Sequence, residues 1–284
     1  MNIEWPSSTN KGTALLRLMH QFQPDRILTD DYVSWFFDEA TTANLRNAKL
    51  SFAGSPSADF SRTAYWYAIL REKHIDSIIE HSIESGCRQL LLLGSGYDTR
   101  FFRLPSIRKY SVATLEVDLP ETIKDKMMGI EKRIGSLPVG LSFVPLNFND
   151  KDWSGIVRAG FQPTIPTVYV WQGVSYFLPR QTVSAFLDFV RANMIAGSIL
   201  AFDCCWPLML TENDEIPGIR QNIERLKEIG EPYIFGMDPM DMKSWLEDKG
   251  FRNIGVSSTD YLELTYVHTS TLPRKTWYIV TASL

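Results

Sequence analysis

Two stretches of this chain combine residue types and spacing suited to holding a small ligand. The first is Gly94-Ser95-Gly96-Tyr97-Asp98, directly after the apolar run Gln89 to Leu93. Two glycines let the backbone approach a ligand closely and turn amide N–H groups toward it. The second is Glu116-Val117-Asp118, closing another apolar run. An acid there can accept both hydroxyls of a ribose, and the interval from Gly94 to Asp118 fits one strand-loop-helix-strand unit. A dinucleotide would also require a small residue three positions after the second glycine and a free helix N-terminus for its pyrophosphate. Thr99 stands at that position, followed by Arg100 and Phe101-Phe102-Arg103-Leu104-Pro105. Such bulk better suits a nucleoside ligand without phosphates, S-adenosylmethionine rather than NAD.

The string Gly94-Ser95-Gly96-Tyr97-Asp98-Thr99-Arg100-Phe101-Phe102-Arg103-Leu104, followed by Glu116-Val117-Asp118-Leu119-Pro120 and Lys124 or Lys126, resembles the leucine carboxyl methyltransferase family. Arg71 with Asp76, and Trp171-Gln172-Gly173-Val174-Ser175-Tyr176-Phe177-Leu178, extend the match, which runs from about Thr13 to Asp203. The resemblance implies S-adenosylmethionine as cofactor. It implies that Arg71 pairs with the methionine carboxylate, that Gly94 and Gly96 line the methionine and ribose, and that Asp118 holds the ribose hydroxyls. It places Asn147 at the adenine amine, a backbone contact from Phe148 beside it, and Gln172 near the methionine end. Family members usually carry Asp at 147 and Glu at 172, so both positions have exchanged an acid for an amide. Losing a charge-assisted hydrogen bond costs about 1.5–3 kcal/mol, so Gln172 predicts weaker cofactor binding. Tyr176 is a candidate to orient the substrate. Asp98 and Arg100 are expected to shape their own loop and Arg103 to neutralise a nearby acid.

These residues need a scaffold that brings strand ends together. The first 86 residues read as a helical cap: Thr13 to Phe22, then Tyr32 to Ala40 capped by Asp30, a loop from Ala43 to Asp59, and a long helix carrying Ile75, Ile78, Ile79 and Ile83 and stopped by Gly86. Strand-like runs follow at Gln89 to Leu93, Ser111 to Val117, Leu141 to Leu146, Thr167 to Trp171, Ser198 to Asp203, Phe251 to Ser257 and Trp277 to Ala282. Helical stripes separate most of them, at Ile123/Met127/Ile130, Val183/Phe186/Leu187/Val190, Ile219/Ile223/Leu226 and Met242/Trp245/Leu246. Alternation of this kind predicts an α/β, Rossmann-like fold: one domain over 1–284 with a seven-stranded, mostly parallel sheet from 87 onward. No helix is expected between the last two strands, which should therefore be antiparallel neighbours. Trp206, Pro207, Tyr233, Phe235 and Met237 fall in an insert near 204–240 that is expected to form a substrate lid.

Lys+Arg 29 against Asp+Glu 33 gives a net charge of -4, which argues against a nucleic-acid partner. The longest apolar run, Ala64 to Leu70, spans seven residues, far below the ~20 of a membrane span. Met1-Asn2-Ile3-Glu4-Trp5-Pro6 lacks the pattern of a signal peptide, and Cys87, Cys204 and Cys205 are too few for a disulfide framework, so a cytoplasmic location is expected. The oligomeric state is not legible. Among the histidines, His74 and His81 lie seven apart without a further ligand, so no metal site is expected. The acceptor is expected to be a small molecule bearing a carboxylate or a hydroxyl. A carboxylate needs no base, and no base stands out. Three alternatives accompany that reading: methylation of a protein C-terminal carboxylate, cyclisation of the cofactor with release of methylthioadenosine, and cofactor binding without turnover.

Overall fold

The computed structural model describes residues 8–47 and 58–284. The expectations for Met1 to Pro6 and for most of the loop before Asp59 lie outside the described residues. At the centre stand β1 (Gln89–Leu93) and β4 (Thr167–Trp171), every residue of which is buried. Their side chains alternate between two cores. Leu91, Leu93, Tyr169 and Trp171 face one, and Leu90, Leu92, Val168 and Val170 face the other. The helix Ala58–Glu84 lays Ile75, Ile79 and Ile83 on the second core. On the first, Arg180–Asn193 packs Val183, Phe186, Leu187 and Val190, and Pro239–Asp248 packs Met242 and Leu246.

The remaining strands are β2 (Ala113–Asp118), β3 (Leu141–Pro145), β5 (Ile199–Cys205), β6 (Arg252–Ser258) and β7 (Trp277–Ser283). Their order across the sheet is β3-β2-β1-β4-β5-β7-β6. β7 runs antiparallel to both β5 and β6, while the other pairings are parallel. The chain leaves β1 toward β2 and β3, then returns to β4 on the other side. Strand order thus reverses between β1 and β4, and a crevice opens beyond their carboxyl ends.

Three local expectations are corrected. A helix, Thr259–Val267, does intervene between β6 and β7. It carries no single apolar stripe, since Leu262 is buried while Tyr261 and Leu264 are more than half exposed, so periodicity could not reveal it. The segment from Tyr32 is a 3-10 turn, Val33–Phe36, followed by a separate helix, Glu39–Arg46, rather than one helix. Asp30 still caps the turn by accepting from Val33 N at 3.1 Å. β2 begins at Ala113 because Ser111 is held at φ 51°, outside strand geometry.

Candidate active site

The loop after β1 is built by its two glycines. Gly94 and Gly96 have φ of +64° and +48°, a region disfavoured for residues with a Cβ. A Cβ at Gly94 would lie 2.2 Å from Val174 Cγ2. Gly94 N and Ser95 N both donate to Val117 O, which ties the loop to β2. Asp118 is oriented from two sides, its carboxylate accepting from Gly96 N at 2.6 Å and from Leu119 N at 2.7 Å. Burial pushes its pKa up, and those two bonds oppose the shift. Asp98 accepts from Arg100 N at 2.7 Å and so closes its own turn, the role anticipated for it. Beneath the loop, Lys126 and Glu116 form a fully buried ion pair. Burial raises the Glu116 carboxyl, and the Lys126 charge resists that rise.

A buried charge network walls the crevice beside the loop. Arg100 donates to Glu72 (2.6 Å), to Asp76 (2.8 Å) and to Asp98. Arg103 also pairs with Asp76 and Glu72, and Arg17 lies between Asp30 and Glu72 at 3.3 and 3.7 Å. Gln172 bridges this network: its Nε2 donates to Glu72 Oε1 and its Oε1 accepts from Arg100 Nη2, both at 2.8 Å. Burial alone would raise Glu72, but Arg100, Arg17 and Arg103 hold it well below the usual carboxylate range.

On the far side of the crevice, Asp203 lies within β5, two residues before its end, with no exposed surface. It accepts from Arg71 Nη1 at 2.5 Å, from Tyr67 Oη at 3.2 Å and from Gly173 N at 2.7 Å. Arg71 Nη1 also donates to Tyr176 Oη at 3.1 Å. Arg71 Nε is buried without a hydrogen-bond partner among the described residues. Counting Arg17, Arg71, Arg100 and Arg103 against Asp30, Glu72, Asp76, Asp98 and Asp203, these buried side chains carry one carboxylate in excess.

The cavity between these walls measures about 190 Å³ and is lined by Arg71, Gly94, Gly96, Gln172 and Tyr176 among others. Asp118, Asn147 and Phe148 do not line it. Asp118 and Asn147 stand at the neighbouring carboxyl ends of β2 and β3, where Asp118 pairs in register with Pro145. The Asn147 side chain is exposed and accepts from Asn149 N at 3.0 Å, while the Phe148 ring packs in the core against Trp171 and Phe186. From the 204–240 insert, Tyr233 reaches the cavity, and Phe235 and Met237 are core residues. Sequence reading missed Glu72 and Asp203. Asp203 ends the expected strand and so looks solvated in sequence, whereas β5 continues to Cys205; its place near the carboxyl end of that strand was a usable signal.

The strand order, the antiparallel β7 and the glycine-walled crevice at the switch point define the class I methyltransferase fold. Residues 11–191 match the leucine carboxyl methyltransferase family, and the chain belongs to that family of S-adenosylmethionine-dependent methyltransferases. A Mycolicibacterium smegmatis protein named for S-adenosyl-L-methionine-dependent methyltransferase activity is 29% identical over 201 residues, covering 68% of this chain and 65% of the relative. A protein of the same name from Streptomyces coelicolor is 30% identical over 200 residues, 67% of this chain and 64% of the relative. The chain thus matches just under two thirds of those relatives' lengths. A solved structure from Thermobifida fusca, of a protein assigned as a methyltransferase by similarity, superposes with a TM-score of 0.58 at 14% identity, covering 99% of both chains. A DUF574-family protein from Streptomyces avermitilis gives 0.61 at 14% identity, covering 94% of this chain and 96% of its own.

Proposed function

We propose that the chain transfers a methyl group from S-adenosylmethionine to a small-molecule acceptor bearing a carboxylate or a hydroxyl. The observation that carries this reading is the excess buried carboxylate around a cavity at the switch point, in a member of this family. A cationic ligand suits a cavity whose buried walls carry one carboxylate in excess, and the unpartnered Arg71 Nε is free to meet its carboxylate. Gly94 and Gly96 would line the methionine and ribose, and Asp118, oriented by its two backbone bonds, would accept the ribose hydroxyls. Asn147 would meet the adenine amine at the end of β3, with only the backbone of Phe148 beside it, since its ring is in the core. Gln172 would act through Glu72 and Arg100, its amide nitrogen donating to the one and its amide oxygen accepting from the other.

S-adenosylmethionine supplies an already activated methyl group. The protein's task is therefore alignment and exclusion of water, which together can supply up to roughly 7–11 kcal/mol. Asp203 holds Arg71, and Arg71 holds Tyr176, so this wall of the cavity is set by bonds anchored in β5. Tyr233 closes the same side, its ring centroid 4.5 Å from that of Tyr176.

The test is incubation of pure protein with S-adenosylmethionine, with thermal shift and mass spectrometry of the nucleosides. Stabilisation, with S-adenosylhomocysteine formed once an acceptor is added, is the expected result. Methylthioadenosine formed without acceptor would replace methyl transfer by attack of the cofactor's own amine on its γ-carbon. Binding with no turnover on any metabolite or peptide acceptor would leave a binding protein. No stabilisation would overturn the cofactor pocket.

A further inference from the structure

The far end of the cavity differs in kind from the glycine end. Tyr67, Tyr176, Tyr233 and Trp277 wall it, with Tyr67 and Trp277 stacked at 5.0 Å and nearly parallel. Aromatic faces favour a flat, apolar body. The cation at this end is already spoken for: Arg71 is bonded to Asp203 and Tyr176 and lies over the Tyr67 ring. Arg225 at the rim is itself partnered. With the cofactor's positive charge set against that excess carboxylate, an anionic acceptor would add a buried negative charge for which no spare counter-charge remains. An uncharged acceptor adds no charge to the site.

Resting on the methyltransferase reading, we infer that the acceptor is a flat, uncharged molecule bearing a phenol-type hydroxyl, held in this aromatic chamber, and that its proton leaves through Tyr67 to Asp203. Tyr67 lines the cavity and donates to Asp203 Oδ2, so its oxygen keeps lone pairs for the acceptor O–H. As the acceptor oxygen bonds to the methyl carbon, the methyl–sulfur bond breaks and its electron pair stays on sulfur. The acceptor's proton passes to Tyr67 Oη and Tyr67's own proton to Asp203. The positive charge lost at sulfur reappears as the Arg71 guanidinium uncovered by the protonated Asp203, so the total buried charge does not change. Tyr67 touches the acceptor, and Asp203 is a positioning and proton-holding residue behind it.

The experiment uses 2-naphthol and 2-naphthoate, equal in body and different in charge, titrated into the full chain saturated with S-adenosylhomocysteine at neutral pH and followed by naphthalene fluorescence. Naphthol is expected to bind at least tenfold more tightly than naphthoate. Equal or tighter naphthoate binding, or no binding of either probe, overturns the inference. Failure of S-adenosylhomocysteine itself to bind overturns the methyltransferase reading beneath it. The relay is then read from the pH profile of 2-methoxynaphthalene formation. The wild-type rate should stay flat from pH 6.5 to 9, whereas Tyr67→Phe, which keeps the aromatic wall, should climb about tenfold per pH unit toward naphthol's own ionisation. Asp203→Asn should follow the same profile. A Tyr67→Phe loss that is equal at every pH, or naphthol bound but never methylated, overturns the relay.

Discussion

Replacing Gln172 by glutamate installs the acid that the family resemblance leads one to expect there, and the buried network gives that change a definite sign. Gln172 Nε2 donates to Glu72 Oε1 across 2.8 Å. A carboxylate at 172 would set two like charges at that distance, a repulsion of about 6 kcal/mol at an effective dielectric constant of about 20. Proton uptake caps the penalty. Keeping a glutamate of ordinary pKa protonated at pH 7 costs about 3.7 kcal/mol, and its O–H bond to Glu72 returns roughly 1–2 kcal/mol. The bond from Arg100 to the other oxygen survives in either form. Gln172→Glu is therefore expected to lose about 2–3 kcal/mol of stability at pH 7 and about 2 kcal/mol less at pH 5.5, where the proton is easier to acquire. Urea unfolding of both proteins at the two pH values measures this, and calorimetry with S-adenosylhomocysteine should show no gain in affinity. A variant as stable as wild type at pH 7, or equally weakened at both pH values, would refute the reasoning. Tighter cofactor binding would show instead that residue 172 meets the ligand directly.

Lys126→Met should cost about 3–5 kcal/mol in denaturant unfolding, because it strands the Glu116 charge, and adding Glu116→Gln should recover most of that loss. A single variant that unfolds like wild type would mean the pair is not buried. Gly94→Ala adds left-handed strain of about 1–2 kcal/mol and drives Cβ into Val174, so S-adenosylhomocysteine affinity should fall more than tenfold, with partial rescue by Val174→Ala. Burial lowers His20 from 6.5 to about 4, its Nε2 accepting from Ile27 N and its Nδ1 donating to Tyr65. The unfolded chain binds the extra proton within that window, so stability should decline by up to about 3 kcal/mol as pH falls from 6.5 to 4. His20→Asn, compared with wild type across the same range, should lack that part of the slope; an unchanged slope would assign it to other groups.

Much of the architecture was legible because strand burial here is nearly complete. Leu90 to Leu93 and Thr167 to Trp171 are continuous apolar runs, the signature of central parallel strands, and Gly94 and Gly96 mark the turn above them. The helix before β7 was hidden because its apolar residues face in several directions. At the candidate site, the residue types were visible but their partners were not. Arg71 and Asp203 lie 132 positions apart, and Gln172 and Glu72 lie 100 apart. Sequence patterning reports periodicity along an element, whereas such pairs are made only when elements pack. For the same reason, Gln172 reads in sequence as a charge lost from a ligand contact, and in the fold as a bridge between Glu72 and Arg100.

The position of β7 between β5 and β6 sets an order of events during synthesis. Residues 252–258 leave the ribosome before the strand they pair with, and β5 keeps a bare edge until 277–283 arrives to fill the gap. Trp277, the first residue of that strand, also backs the Tyr67 wall of the cavity. A nascent chain can thus assemble the glycine loop and the β1–β4 crevice early, yet its aromatic chamber is completed only by β7, which is made after the other six strands of the sheet. Any defect that delays β7, including a truncation or a charge placed among Tyr278, Ile279 and Val280, would leave a chain with a bare sheet edge and a cavity lacking its Trp277 wall, exposed to proteases and to edge-to-edge association.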